Sequence, residues 1–392
     1  MSDGPAGAQP QAGGGRPRAS AREVAGVFLR LGTIAFGGPA AHTALMRHEL
    51  VQRKGWVTDA RFVDLMGATN LIPGPNSTEL AIHLGYDRAR WRGLVVAGAC
   101  FILPAALLVT ALAWAYVRYG DTPAMTGLLY GIVPAVIAII VHALAKLLPV
   151  VVRNVWLGAL AAAALAAYLL GVNELLVLFS GAVLAAAGRL VRHPPSGAHG
   201  MLVAPLWTGG PLFADPTGSQ LWQLFATMLK IGAVLYGSGY VLLAFLRGDF
   251  VDRLGWLTEE QLIDAVSIGQ VTPGPVFTTA TFIGYLVAGP VGALLATVAI
   301  FTPSFLFVGL LTRLTDRLRA SPWTSVMLDG VNATALALMA GVTLQLGRSA
   351  LVDPLTVAIA LATLALLWKT KLNSAWYIGA GALIGLAHVA LS

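Results

Sequence analysis

Ile72–Leu80 reads IPGPNSTEL and Val271–Thr279 reads VTPGPVFTT. Both set a Pro-Gly-Pro inside an apolar segment with little charge of its own. Proline has no amide proton and clashes with the preceding turn, and glycine readily leaves helical angles, so neither segment can be one unbroken helix. The backbone therefore breaks within an apolar layer. Broken backbone at membrane depth is tolerated only where protein or a water-filled cavity surrounds it, because each unpaired amide facing lipid costs several kcal/mol. The two breaks read as a substrate site, the second being an internal copy of the first.

Composition agrees with a membrane setting. The 392 residues are 57% hydrophobic and 11% charged, against roughly 25% charged in a soluble domain. The fold class expected is an all-α polytopic protein of the cell (inner or plasma) membrane. Net charge is +7, but the basic residues sit in short loops between apolar runs, which fits membrane orientation and not nucleic-acid binding. The single cysteine, Cys100, cannot form an intrachain disulfide. Residues 1–22 are rich in Gly, Ala and Pro and are expected to be a disordered tail without signal-peptide layout.

The chain repeats itself. Adding 200 to the residue number takes Gly32 to Gly232, Arg47 to Arg247, Gly55-Trp56-Val57-Thr58 to Gly255-Trp256-Leu257-Thr258, Asp64 to Asp264 and Pro73-Gly74-Pro75 to Pro273-Gly274-Pro275. After one deletion the offset is 199, pairing Gly85 with Gly284, Gly93 with Gly292, Pro104 with Pro303 and Gly131 with Gly330. The expected organisation is repeat 1 over 23–190, a Pro/Gly/His-rich linker over 191–220 and repeat 2 over 221–392, a tandem duplication of the kind secondary transporters use.

Loop charge orients the copies. Arg47, Arg53, Lys54 and Arg61 precede the first break, and Arg88, Arg90 and Arg92 follow it, so both flanks read as cytoplasmic and the segment between them as re-entrant. Around the second break the loops are acidic or neutral, with Asp249, Asp252, Glu259 and Glu260 before it and Ala288-Gly289-Pro290 after it. Five crossings plus one re-entrant segment per repeat is an odd number, and it inverts the second copy. The arginines of the tail oppose the N-terminal orientation this implies.

Each repeat opens with a glycine-interrupted helix: Phe36-Gly37-Gly38-Pro39 in the first, Tyr236 followed by Gly237-Ser238-Gly239 in the second. With the two Pro-Gly-Pro breaks, four helix ends converge, and helix N-termini bind anions through unpaired N–H donors and the helix dipole. The bland alternative is that these residues only permit kinks and close packing. Asn76, Ser77, Thr78, Gln270, Thr272, Thr278 and Thr279 add polar groups beside the breaks. Arg30 and Lys230 hold equivalent positions inside the first helix of each repeat and would either neutralise a dianion or snorkel to an interface. Glu79 and His42 are the proton-coupling candidates; Glu79 would alternatively pair with a cation, and His42 would alternatively be a hydrogen-bonded helix histidine. Thr58 and Thr258 read as helix N-caps, with Asp64 and Asp264 in capping or loop pairing. No HExxH, Walker, CxxC or GxSxG pattern occurs, so an ATP-driven pump, a metal site and a cofactor are not implied.

FGGPAAH at Phe36–His42, the two GW(V/L)T steps, IPGPNSTELAIHLGY at Ile72–Tyr86 and VTPGP at Val271–Pro275 resemble the chromate ion transporter family, in its long form of two fused inverted halves. The resemblance runs from about Ala25 to the end of the chain. It implies export of chromate from the cytoplasm, and functional roles for the FGGP residues, Asn70, Pro73–Asn76 and Pro273–Pro275. The reading is a secondary transporter exporting a tetrahedral oxyanion, driven by membrane potential or protons. A sulfate or other anion permease is the alternative, and a non-transport membrane protein a more distant one. The partners expected are the oxyanion and membrane lipid, with no nucleic acid; a homodimer is left open.

Overall fold

The computed structural model describes residues 20–36, 38–120, 122–192, 219–236, 241–319, 322–370 and 372–391. Among them all regular structure is helical. Repeat 1 contains α1 (Ala21–Ile34), α2 (Gly38–Met46), α3 (Asp59–Thr69), α4 (Asn76–Tyr119), α5 (Pro123–Val151), α6 (Val155–Leu169) and α7 (Glu174–Arg192). Repeat 2 returns the same order as α8 (Gln220–Val234), α9 (Leu242–Leu246), α10 (Glu259–Val271), α11 (Thr279–Arg319), α12 (Pro322–Ala350), α13 (Pro354–Lys369) and α14 (Ser374–Leu391). Most of the tail and linker, with Gly37, Gly237, Ser238 and Gly239, lies outside the described residues; α1 begins at Ala21, two residues inside the stretch assigned to the tail.

Local chemistry sets the boundaries. Ser20 caps α1, its hydroxyl accepting from the Glu23 amide at 3.2 Å. Thr58 caps α3 by accepting from the Arg61 amide at 3.2 Å. Thr258 and Gln261 close a reciprocal capping box on α10 at 3.1 and 3.0 Å. A wide π-helical turn precedes each cap, Arg47–Arg53 and Arg247–Arg253. Each turn leads to a left-handed glycine, Gly55 at φ 56° and Gly255 at φ 61°, which is why the GW(V/L)T step starts with glycine twice.

The two longest helices are hairpins. In α4 the helical angles fail at Ala89 and Arg90, and in α11 at Ala288 and Gly289, 199 positions on. Gly85 lies against Gly93 so closely that a Cβ on either would fall 2.0–2.3 Å from the other's carbonyl oxygen, and Gly284 and Gly292 repeat this arrangement. Only glycine lets the two arms approach this far. The first arm of α4, residues 76–88, is about 20 Å long at 1.5 Å per residue, too short for a hydrocarbon core of about 30 Å. Arg61 at the start of α3 grips Asp87 at the end of that arm with two bonds, Nε to Oδ2 at 2.7 Å and Nη2 to Oδ1 at 2.9 Å. The segment from α3 through the break thus returns to the level at which it started, as a re-entrant element must.

Among the described residues five helices are long and apolar enough to cross a membrane: α4, α5, and the apolar parts of α11 and α12, with α14; α6 and α13 are shorter apolar helices. The core pairs α1 with α4, α8 with α11, and α4 with α11. Gly32 on α1 abuts the Phe101 carbonyl and Gly232 on α8 abuts the Ile300 carbonyl, the same contact in each repeat. The outer helices are exchanged: α5 packs against α13 and α14, and α12 against α6 and α7. The repeats are therefore interlocked and do not form two separate bodies.

Candidate functional site

The glycine of each break is fixed by the opposite repeat. The Gly74 amide donates to the Leu235 carbonyl at 2.8 Å, and the Gly274 amide to the Ala35 carbonyl at 2.8 Å. Leu235 and Ala35 directly follow the first helix of their repeats, so the helix interruptions and the Pro-Gly-Pro breaks form one cross-linked centre. Gly74 sits at φ 136° and Gly274 at φ 97°, in the region that disfavours a side chain. These two amides are committed to protein carbonyls and do not serve as anion donors. At the start of α4 the Thr78 and Glu79 amides turn back to Pro75 O at 2.8 and 3.1 Å. The Asn76 and Ser77 amides are left at the helix N-terminus with no partner among the described residues.

Side chains make the first break polar. His42 on α2 is 1% exposed and bridges the centre: Nε2 lies 3.0 Å from Ala35 O and Nδ1 3.2 Å from Ser77 Oγ. A carbonyl only accepts, so the hydrogen-bond network assigns the proton to Nε2, and in the neutral ring Nδ1 accepts from the Ser77 hydroxyl. Ala35 O consequently takes bonds from both Gly274 and His42. Asn70 is exposed at the end of α3, and its Oδ1 accepts from Asn76 Nδ2 at 2.9 Å. Glu79 is 0% exposed, and its carboxyl neighbours the Ser304 hydroxyl, short of a full hydrogen bond; the Thr78 hydroxyl has no partner among the described residues. A Cβ built on Gly74 would fall 2.1 Å from Glu79 Oε1 and 2.6 Å from Ser304 Oγ, so both groups reach over the bare glycine.

The second break is apolar by comparison. Val276 and Phe277 replace Asn76 and Ser77, Leu242 replaces His42, and Ala105, whose Cβ would meet a Gly274 Cβ at 2.7 Å, replaces Ser304. Thr272 and Thr278 satisfy their hydroxyls on Gly269 O at 3.1 Å and Pro275 O at 2.8 Å. Gln270 is half-buried, with Nε2 unpartnered. The two breaks match in backbone and differ in chemistry.

Arg30 and Lys230, the cations of α1 and α8, are placed apart from this chemistry. Lys230 Nζ pairs with Asp249 Oδ1 at 2.7 Å, an oxygen that also accepts from Arg253 Nε at 3.0 Å. Arg30 is exposed on α1, and no hydrogen bond or ion pair among the described residues joins either cation to a break. Phe36 is 37% exposed, and Gly38, at φ 79°, opens α2 ahead of Pro39. Ser304 was not among the residues the sequence singled out. The signal was present, since the repeated Pro104 and Pro303 are followed by Ala in one repeat and Ser in the other.

The chain matches the chromate transporter family model twice, over residues 22–186 and 222–386. It is 37% identical to the chromate transport protein of Cupriavidus metallidurans, over 94% of this chain and 94% of that relative. It is 34% identical to the probable chromate transport protein of Synechococcus elongatus, over 90% and 91% of the two chains. Identity to the chromate transport protein of Pseudomonas aeruginosa is 34%, over 91% and 90%. No solved structure matches. With one broken-helix unit built twice and matched twice by one family description, this multi-pass membrane protein belongs to the chromate transporter family.

Proposed function

We propose that the chain exports chromate from the cytoplasm, binding the tetrahedral dianion at the first break. The observation that carries the site is the N-terminus of α4, where the Asn76 and Ser77 amides stand uncommitted. Beside them lie the Asn76 carboxamide and the hydroxyls of Thr78 and Ser304, with the Ser77 hydrogen directed to His42. Such an array of donors suits an oxyanion without a dedicated cation. The substrate follows the names of the relatives. The second break holds the frame, with Thr272, Pro273, Gly274, Pro275 and Thr278 beside the first, while Phe36, Gly38 and Pro39 flank it; Gly37 and Gly237–Gly239 lie outside the described residues.

An inside-negative potential makes export of a dianion favourable by about 2.3 kcal/mol per charge per 100 mV, which is sufficient drive without ATP. Glu79 is the first candidate for proton coupling. An ionised carboxylate and an arriving dianion repel each other at the same helix end, so anion entry favours a protonated Glu79. His42 is the second, because protonating Nδ1 would reverse its bond to Ser77 and free the serine hydrogen for the anion. No bond-making chemistry is proposed.

The test is flux in vesicles of the purified protein, with potential and pH step imposed separately. Chromate movement that follows an imposed potential supports the reading. No chromate flux under either gradient overturns it, and suppression of chromate flux by a small excess of sulfate assigns the broader anion permease.

A further inference from the structure

The re-entrant helices α3 and α10 are the same element in two surroundings. α10 packs against α5, α12 and α14. Its outward stripe is covered: Ile263 is 5%, Asp264 4% and Ser267 0% exposed, and Gln270 is half-buried. The equivalent stripe on α3 is Val63, Asp64, Gly67 and Asn70, and all four are exposed, Val63 to 54%. Symmetry would cover α3 with α12, α5 and α7. Among the described residues α3 packs instead on α4, α11 and the π-helical turn, without comparable packing against those three.

A stripe bearing a carboxylate and a carboxamide does not suit lipid at membrane depth, so the α3 face opens on water. On α10 the covered stripe receives a hydrogen bond from α4 of the core, Tyr116 Oη donating to Asp264 Oδ2 at 2.8 Å. On the same helix face Ser267 Oγ and Gln270 Nε2 are buried without hydrogen-bond partners. Closing over polar groups that are left unsatisfied disfavours the covered state and leaves room for an uncovered one.

We infer that the outer helices α5–α7 and α12–α14 rock between two seats, covering α10 in the state seen here and α3 in the other; the latch of the first is the Tyr116–Asp264 bond, by which α4 of the core satisfies the carboxylate that the cover shuts away from water. The exposed α3 stripe is thus the second seat, and Asn70 and Asn76 of the first break are reached from its side. Inverted repeats exchange roles in this way when each adopts the other's packing. The inference rests on the transport reading only in needing two exchanging states, and it is independent of the anion carried.

The experiment reads thiol reactivity without any anion. In a Cys100→Ala chain, Val63→Cys on α3 should react fast with a small water-soluble thiol reagent in detergent, and Ile263→Cys and Ser267→Cys on α10 slowly. Tyr116→Phe, which removes the latch, should raise the α10 rates about tenfold; Tyr116→Leu removes the same donor, should act the same way and serves if Tyr116→Phe lowers the yield. Val63→Trp fills the second seat without crowding the state seen here. It should lower the residual α10 reactivity about tenfold, from the opposite repeat, and stop chromate flux where the parent chain shows it. Unchanged α10 rates in both latch variants, or in Val63→Trp, would overturn the two-seat mechanism. A parent chain that moves no chromate yet shows these shifts would instead overturn the substrate assignment alone.

Discussion

The amide of Gly74 and the carbonyl of Leu235 meet at 2.8 Å across the boundary between the repeats, and Gly274 meets Ala35 in the same way. Each break is therefore held open by the other half of the chain, and its shape cannot be altered in one repeat alone. Gly74→Ala and Gly274→Ala both force a side chain into the left-handed region, at about 1–3 kcal/mol. Gly274→Ala should be the more destabilising, because its Cβ meets Ala105 on a helix at 2.7 Å, whereas Gly74→Ala meets the movable ends of Glu79 and Ser304. Thermal unfolding in detergent ranks the two, and both should lose chromate flux; a flux-competent Gly74→Ala would take that glycine out of the site.

Re-entrance has a direct topological consequence. Single cysteines at Lys54 and Arg92, in a Cys100→Ala background, should label from the cytoplasmic side with an impermeant reagent. Cysteines at Asp252 and Ala288 should label from outside. Labelling of all four from one face would remove the inverted arrangement of the repeats.

His42 links both breaks through Ala35 O and Ser77 Oγ. His42→Leu, which copies Leu242 of the second repeat, should reduce chromate flux about tenfold or more by leaving the Ser77 hydroxyl undirected and Ala35 O short of a donor. His42→Gln keeps a donor and should recover part of the loss. Equal flux in His42→Leu and the parent would make the histidine purely structural.

Glu79→Gln preserves shape while removing the ionisable group. Chromate flux driven by an imposed potential should persist in this variant, and its response to an imposed pH step should vanish. A pH response that survives the substitution would transfer coupling to another group, His42 being the next to test.

Lys230→Gln should lower stability by about 1–3 kcal/mol, since it leaves Asp249, only 10% exposed at its side chain, with Arg253 as its remaining partner. Arg30→Gln, on an exposed side chain, should change stability by less than about 0.5 kcal/mol. If both variants instead bind chromate with unchanged stability and much lower affinity, the two cations act on the anion at a distance.

What the sequence discloses here is what recurs locally. The offset of 200 residues, the Pro-Gly-Pro breaks and the Thr58 and Thr258 caps are local patterns, and each has a counterpart in the structure. The hairpin turn at Ala288-Gly289-Pro290 has a glycine to mark it, but its twin at Ala89-Arg90 uses an arginine at φ 54°, which no composition rule flags. Contacts between repeats leave no periodicity at all. Nothing in the sequence tells that the Gly74 amide belongs to Leu235, that Lys230 is neutralised by Asp249, or that Ser304 lies over Gly74. Arg30 and Lys230 look alike in sequence because their positions are equivalent; their environments differ because only Lys230 has a carboxylate bonded to it.

The exchange of outer helices also sets a schedule for biosynthesis. The main packing partners of α5, helices α13 and α14, are encoded roughly 200 residues after it, which at about 5–20 residues per second is on the order of 10–40 s of translation. Throughout that interval the first half sits in the bilayer with a face shaped for helices that do not yet exist. Lipid or the insertion machinery must shield it, and the packing of both halves is a single late event that waits for α13 and α14.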